Sequence, residues 1–167
     1  WFRAFPRRPA DRPTSAPAEM RTQVLRDLDP ASAKALISGL HDAIHAVHEA
    51  PFPTIGMING ACLGAGFELA MACDMRVAAP GALLGLPEIR VGIPSVIEAA
   101  LLPALVGPGR AAEILLVGAP VSAAQALEWG LVNRVTPPEA LTSTTEALVE
   151  SILECAPSAV RLQKELI

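Results

Sequence analysis

The sequence predicts an α/β fold, and three observations carry that prediction. Short apolar, β-branched runs alternate along the chain with longer stretches whose apolar residues recur at helical spacing. Proline and glycine clusters separate the two kinds of segment. The chain has 167 residues, 51% of them hydrophobic and 18% charged, enough for one domain with a real core and too short for two. That balance excludes wholesale disorder.

The elements can be justified in order. Asp29 is placed to cap a helix opening at Pro30, where a missing N–H costs nothing. Leu36, Ile37, Leu40, Ile44 and Val47 then share one face, and the helix stops before Pro51. Thr54–Ile58 reads as a buried strand entering a tight turn at Asn59-Gly60. The small residues Gly64-Ala65-Gly66 open an apolar helix from Phe67 to Cys73, and Met75–Ala79 is a second strand. A loop spans Gly85–Ser95, followed by helices over Ile97–Leu105 and Arg110–Val117. Ser122 caps another helix that ends at Gly130, ahead of a strand at Leu131–Val135. Pro137-Pro138 begins a helical stretch to Cys155, and Pro157 starts a last helix. No repeat of fixed period is present.

Charge divides the chain into unequal parts. Residues 1–26 hold six of the eleven arginines against Asp11 and Glu19, a net +4, which leaves −8 on the rest. With four prolines by position 17, the opening has no helical or strand period. The expected organisation is therefore an irregular Arg/Pro-rich arm over 1–28, a core over 29–140 and a partial C-terminal helical region over 141–167. The chain reads as a piece of something longer, since its first methionine is Met20. An overall charge of −4 argues against a general nucleic-acid binder. No apolar run is long and unbroken enough to span a bilayer; the richest, Val91–Val106, carries Glu98, Pro94 and Pro103. Cys62, Cys73 and Cys155 form neither a disulfide framework nor a zinc motif, which fits a reducing intracellular compartment.

The chemistry is concentrated in Asn59-Gly60-Ala61-Cys62-Leu63-Gly64-Ala65-Gly66-Phe67-Glu68. A strand runs into a glycine turn that opens a helix, so free N–H groups and the positive end of the helix dipole converge on one spot. Such a spot holds a phosphate or a developing oxyanion. Glu68 falls in the first turn among Phe67, Leu69, Ala70 and Met71, company that raises a carboxyl pKa toward acid/base use. The plainer reading, a glutamate that complements the dipole, is equally compatible with the pattern. A short-chain dehydrogenase also has a G-x-x-x-G-x-G turn, but it needs a Tyr-x-x-x-Lys pair, and this chain has no tyrosine.

Several ordered motifs go further. Thr54-Ile55-Gly56-Met57-Ile58-Asn59-Gly60, Gly64-Ala65-Gly66-Phe67-Glu68-Leu69-Ala70, Ala72-Cys73-Asp74 and Leu86-Pro87-Glu88 follow one another. After them come Gly92-Ile93-Pro94, Leu115-Leu116-Val117-Gly118 and Ala126-Leu127-Glu128-Trp129-Gly130-Leu131-Val132. From Pro53 to Glu139 the sequence resembles the crotonase (enoyl-CoA hydratase/isomerase) family.

The resemblance implies a ClpP/crotonase-like spiral of β-β-α units, incomplete at both termini. It implies that the Ala65 N–H binds the thioester oxygen, with Gly60, Gly64 and Gly66 shaping the substrate turn. Glu68 and Glu88 match the two glutamates that flank a water in hydratases. Isomerases usually keep one of the pair, so retaining both favours hydration, with isomerisation as the alternative. The family's other oxyanion donor lies in an x-F-[S/C]-A-G-x-D loop, which Trp1-Phe2-Arg3-Ala4 begins and Phe5-Pro6-Arg7 breaks. Ala4 is the corresponding donor. A non-catalytic, truncated homologue serving as an assembly partner is the reading from another class, motivated by that broken loop.

Further expectations follow from the likeness. The substrate is an acyl-CoA, no cofactor is needed, and the assembly is a homotrimer or hexamer without nucleic acid or membrane. The compartment is intracellular, whether mitochondrial, peroxisomal or cytoplasmic. Ser95-Val96-Ile97-Glu98-Ala99-Ala100 replaces a glycine-rich segment and points to a specialised acyl group. His41, His45 and His48 have the i, i+4, i+7 spacing of metal ligands but flank the apolar stripe without an acid on their face, so no metal site is expected. Glu98 reads as a solvated acid at a helix start in preference to a third carboxylate of the pocket, and Asp74 as a tie for the turn after its helix.

Overall fold

The computed structural model describes residues 28–167. Its first helix, α1 (Pro30–His48), begins where Asp29 accepts hydrogen bonds from the Ala31 and Ser32 N–H groups, with proline at the first helical position. Strands β1 (Ile55–Ile58) and β2 (Ala61–Leu63) follow, then α2 (Ala65–Ala72), β3 (Met75–Ala78) and β4 (Leu83–Gly85). A 3-10 turn (Pro87–Val91), an irregular segment and a second 3-10 turn (Ala99–Leu101) lead into α3 (Leu102–Val106) and α4 (Pro108–Val117). The rest of the chain forms β5 (Val121–Ser122), α5 (Ala123–Glu128), β6 (Arg134–Val135), α6 (Leu141–Leu153) and α7 (Pro157–Glu165). The 3-10 turn Pro138–Ala140 leads directly into α6.

Two three-stranded sheets share these strands. One has the order β1-β3-β6 and is parallel throughout; the other has the order β2-β4-β5, with β4 parallel to β2 and antiparallel to β5. The pairs β1-β2 and β3-β4 each give one strand to each sheet in a spiral of β-β-α units, and β5 and β6 follow in the reverse order with α5 between them. The core lies inside that spiral, where Phe67, Leu84, Leu86, Leu102, Ile114 and Leu131 are fully buried.

A buried arginine ties the layers together. Arg76 on β3 is only 4% exposed, and its guanidinium donates to the carbonyls of Ala70, Met71 and Cys73 at the end of α2 and to Leu131. Those carbonyls are the negative end of the α2 dipole; the Ala70 carbonyl also accepts from the Cys73 N–H, and Arg76 serves the Met71 and Cys73 carbonyls beside it. Asp74 accepts from the Thr54 N–H and hydroxyl at 2.6 and 2.8 Å, so it ties the turn after α2 to the entrance of β1.

The elements differ from the sequence reading in several places. Ala61–Leu63 and Leu83–Gly85, which the sequence reading assigned to no strand, pair with each other across the second sheet. Residues 97 and 98 lie outside any helix, and helical structure begins only at Ala99. The last strand of the parallel sheet is Arg134–Val135, shorter than Leu131–Val135. The helical stretch after Pro137 opens as a 3-10 turn before α6.

Candidate active site

The glycine turn is built on one strained residue. Gly64 stands between β2 and α2 at φ 60°, ψ −137°, a conformation that residues with a Cβ rarely adopt. Its N–H donates to the Gly85 carbonyl at 3.0 Å, and its own carbonyl accepts from the Phe67 and Glu68 N–H groups. Ala65 is the first residue of α2, so a methyl group is tolerated there on helical backbone. The N–H groups of Ala65 and Gly66 have no acceptor among the described residues, and both sit at the positive end of the helix dipole.

Two carboxylates flank this turn. Glu68, one helical turn into α2, is only 2% exposed, and burial raises its pKa above the ordinary 4.5. The Glu98 N–H donates to Glu68 Oε1 at 2.8 Å and opposes the rise, while the negative charges of Glu88 and Glu98 add to it. Glu88 lies in the 3-10 turn after Pro87, with Oε2 accepting from the Ser95 hydroxyl at 3.3 Å. Its other oxygen stands directly over Gly64: a Cβ there would come within 2.5 Å of Glu88 Oε1. Gly64, Ala65, Glu68 and Glu88 thus share one site. Gly60 and Gly66 border an apolar groove of about 700 Å³ between α1, β1 and α6.

Ala4 lies outside the described residues, as does the arm over 1–28 apart from Leu28. The structure draws in two groups the sequence reading had set aside. Glu98 is turned inward, with its side chain 16% exposed, and His41 Nδ1 lies 2.7 Å from its Oε1. His41 also stacks on His45, with ring centroids 5.8 Å apart. Spacing on α1 could not reveal a partner 57 residues away. The thiols are quiet neighbours: Cys62 donates to the Gly66 carbonyl, and burial pushes it up to about 12. Cys73 is raised by burial too, whereas Cys155 is exposed.

The family model for enoyl-CoA hydratase/isomerase matches residues 22–167. The chain belongs to that family. Among its relatives, a putative enoyl-CoA hydratase of Thermus thermophilus is 37% identical over 123 residues, 74% of this chain and 49% of the relative. The mevalonyl-coenzyme A hydratase of Aspergillus fumigatus is 45% identical over 116 residues, covering 68% of this chain and 42% of that protein. The crystal structure of enoyl-CoA hydratase from Bacillus anthracis superposes with a TM-score of 0.82 at 38% identity, over 84% of this chain and 55% of the other. This member of the enoyl-CoA hydratase/isomerase family therefore has the crotonase fold and spans about half the length of the curated relatives it matches. No helix among its described residues is long and apolar enough to cross a membrane.

Proposed function

We propose that the protein adds water to a 2-enoyl-CoA thioester. The observation that carries this reading is the pair of carboxylates, Glu68 and Glu88, beside the free Ala65 N–H. One carboxylate takes a proton from water as the water oxygen bonds to the β-carbon. The C=C electrons move toward the thioester oxygen, where the Ala65 N–H and the α2 dipole stabilise the enolate. The enolate then collapses, and the other carboxyl group delivers its proton to the α-carbon. The two glutamates end with their protonation states exchanged and reset through solvent. The reaction needs no cofactor, because coenzyme A arrives with the substrate.

The acyl group is proposed to be short or functionalised. Ser95–Glu98 puts side chains where the family has glycines, and it packs against both carboxylates. The likeness to a mevalonyl-coenzyme A hydratase supports a specialised pathway. A homotrimer or a hexamer is the proposed assembly.

Hydration of crotonyl-CoA and longer enoyl-CoAs tests the reading, with Glu68→Gln and Glu88→Gln each expected to lose about 10²–10⁴-fold in kcat. Full activity in either variant would sink the two-carboxylate assignment. A harmless Glu88→Gln beside an inactive Glu68→Gln would favour isomerisation. An inactive wild-type chain that still associates would favour the assembly-partner reading. Comparable kcat/KM from about four to about sixteen carbons would remove the specialised pocket.

A further inference from the structure

The segment from Pro94 to Glu98 belongs to no helix or strand, yet it touches both carboxylates. Ser95 donates to Glu88 Oε2, and the Glu98 N–H donates to Glu68 Oε1. Among the described residues, its bonds to other main-chain groups lie at its margins, from the Ile93 N–H to the Glu88 carbonyl and from the Leu101 N–H to the Glu98 carbonyl. Something must stop it from drifting, since a shift of about 1 Å in a supporting loop costs catalysis dearly. The restraint in place comes from α1. His41 Nδ1 stands 2.7 Å from Glu98 Oε1, and its ring stacks against that of His45.

We infer that His41 is a positioning residue: by gripping the Glu98 side chain it fixes the main-chain N–H that holds Glu68. The Glu98 N–H fixes Glu68 Oε1 at 2.8 Å, and the neighbouring Ile97 N–H also favours the ionised carboxylate. A surface histidine–glutamate contact by itself would be worth little. This one matters because the same residue presents its N–H to the buried acid.

The catalytic consequence rests on the hydration reading, and the test separates the two. His41→Leu, His41→Asn and Glu98→Ala are compared with the wild-type chain. Half-exposed His41 can be changed without unfolding, which thermal melts check. Two readouts are taken: crotonyl-CoA kinetics, and the Glu68 titration midpoint followed by carboxyl-carbon NMR. His41→Leu is expected to lower kcat about tenfold with KM nearly unchanged, the scale of one hydrogen bond to a charged group. Its Glu68 midpoint should rise, because the carboxylate loses a donor. His41→Asn restores a donor near the Nδ1 position and should recover both readouts. Glu98→Ala should reproduce the kcat loss of His41→Leu, although it also removes a charge that raises the Glu68 midpoint, and the double variant should be no worse in kcat than either single one. An unchanged Glu68 midpoint in His41→Leu would overturn the inference. A wild-type chain without hydratase activity would overturn the proposed reaction instead, and the midpoint would still decide the role of His41.

Discussion

The Gly64 N–H donates to the Gly85 carbonyl at 3.0 Å, joining the turn that opens α2 to the end of β4 that delivers Glu88. The oxyanion donor and one carboxylate are thereby set by the same sheet. Substituting Gly64 by alanine attacks the joint twice: its positive φ disfavours any Cβ, and that Cβ would strike Glu88 Oε1. Gly64→Ala is expected to cost about 1–3 kcal/mol in urea denaturation and to depress kcat far more than Gly81→Ala, where a Cβ meets nothing within 4 Å.

Arg76 supports the other end of α2. Arg76→Ala would remove the guanidinium donor from the carbonyls of Met71, Cys73 and Leu131, leaving the Ala70 carbonyl with the Cys73 N–H alone. The expected loss is about 3 kcal/mol or more, read as a lower denaturation midpoint. Arg76→Lys should recover only part of it, since an ammonium cannot reach both sides as a guanidinium fork does.

Burial of Glu68 predicts a pH signature with a definite sign. Well below pH 4.5 the group is protonated in folded and unfolded chains alike and contributes no difference. As pH rises, the unfolded chain releases this proton first, so the native state loses stability until the folded pKa is passed. Glu68→Gln removes that loss. The variant's stability advantage over the wild type should grow with pH above 4.5 and then level off, which denaturation series between about pH 4 and about pH 8 will show.

Much of this could be read from the residues alone, and the rest has physical reasons for being hidden. Glu68 is visible because an acid among Phe67, Leu69, Ala70 and Met71 stands out at the start of a helix. Glu88 is visible only through its family motif, since an acid after Pro87 looks like surface. Strands β2 and β4 escaped notice because three-residue strands are too short to show a period, and only their mutual pairing defines them. Glu98 escaped because its main-chain N–H holds Glu68, a function no side-chain pattern encodes. The histidines of α1 invited comparison with metal ligands, but His41 meets Glu98 from a remote loop.

The C-terminal helix is held by a clasp. Lys164 donates to Asp74 Oδ2 at 2.8 Å and to the Phe52 carbonyl at 3.0 Å, while α7 buries none of its own residues fully. Lys164→Met should cost about 1 kcal/mol and speed amide hydrogen exchange throughout α7, leaving exchange in β3 unchanged.

The three thiols give the chain a built-in chemical address. Alkylating reagents attack thiolates, and Cys62 and Cys73 are kept protonated by burial while Cys155 is open at the end of α6. A maleimide dye should therefore settle on Cys155 with no cysteine removed beforehand. The unaltered chain can report on α6 and α7 by fluorescence while the glycine turn beside Cys62 remains untouched.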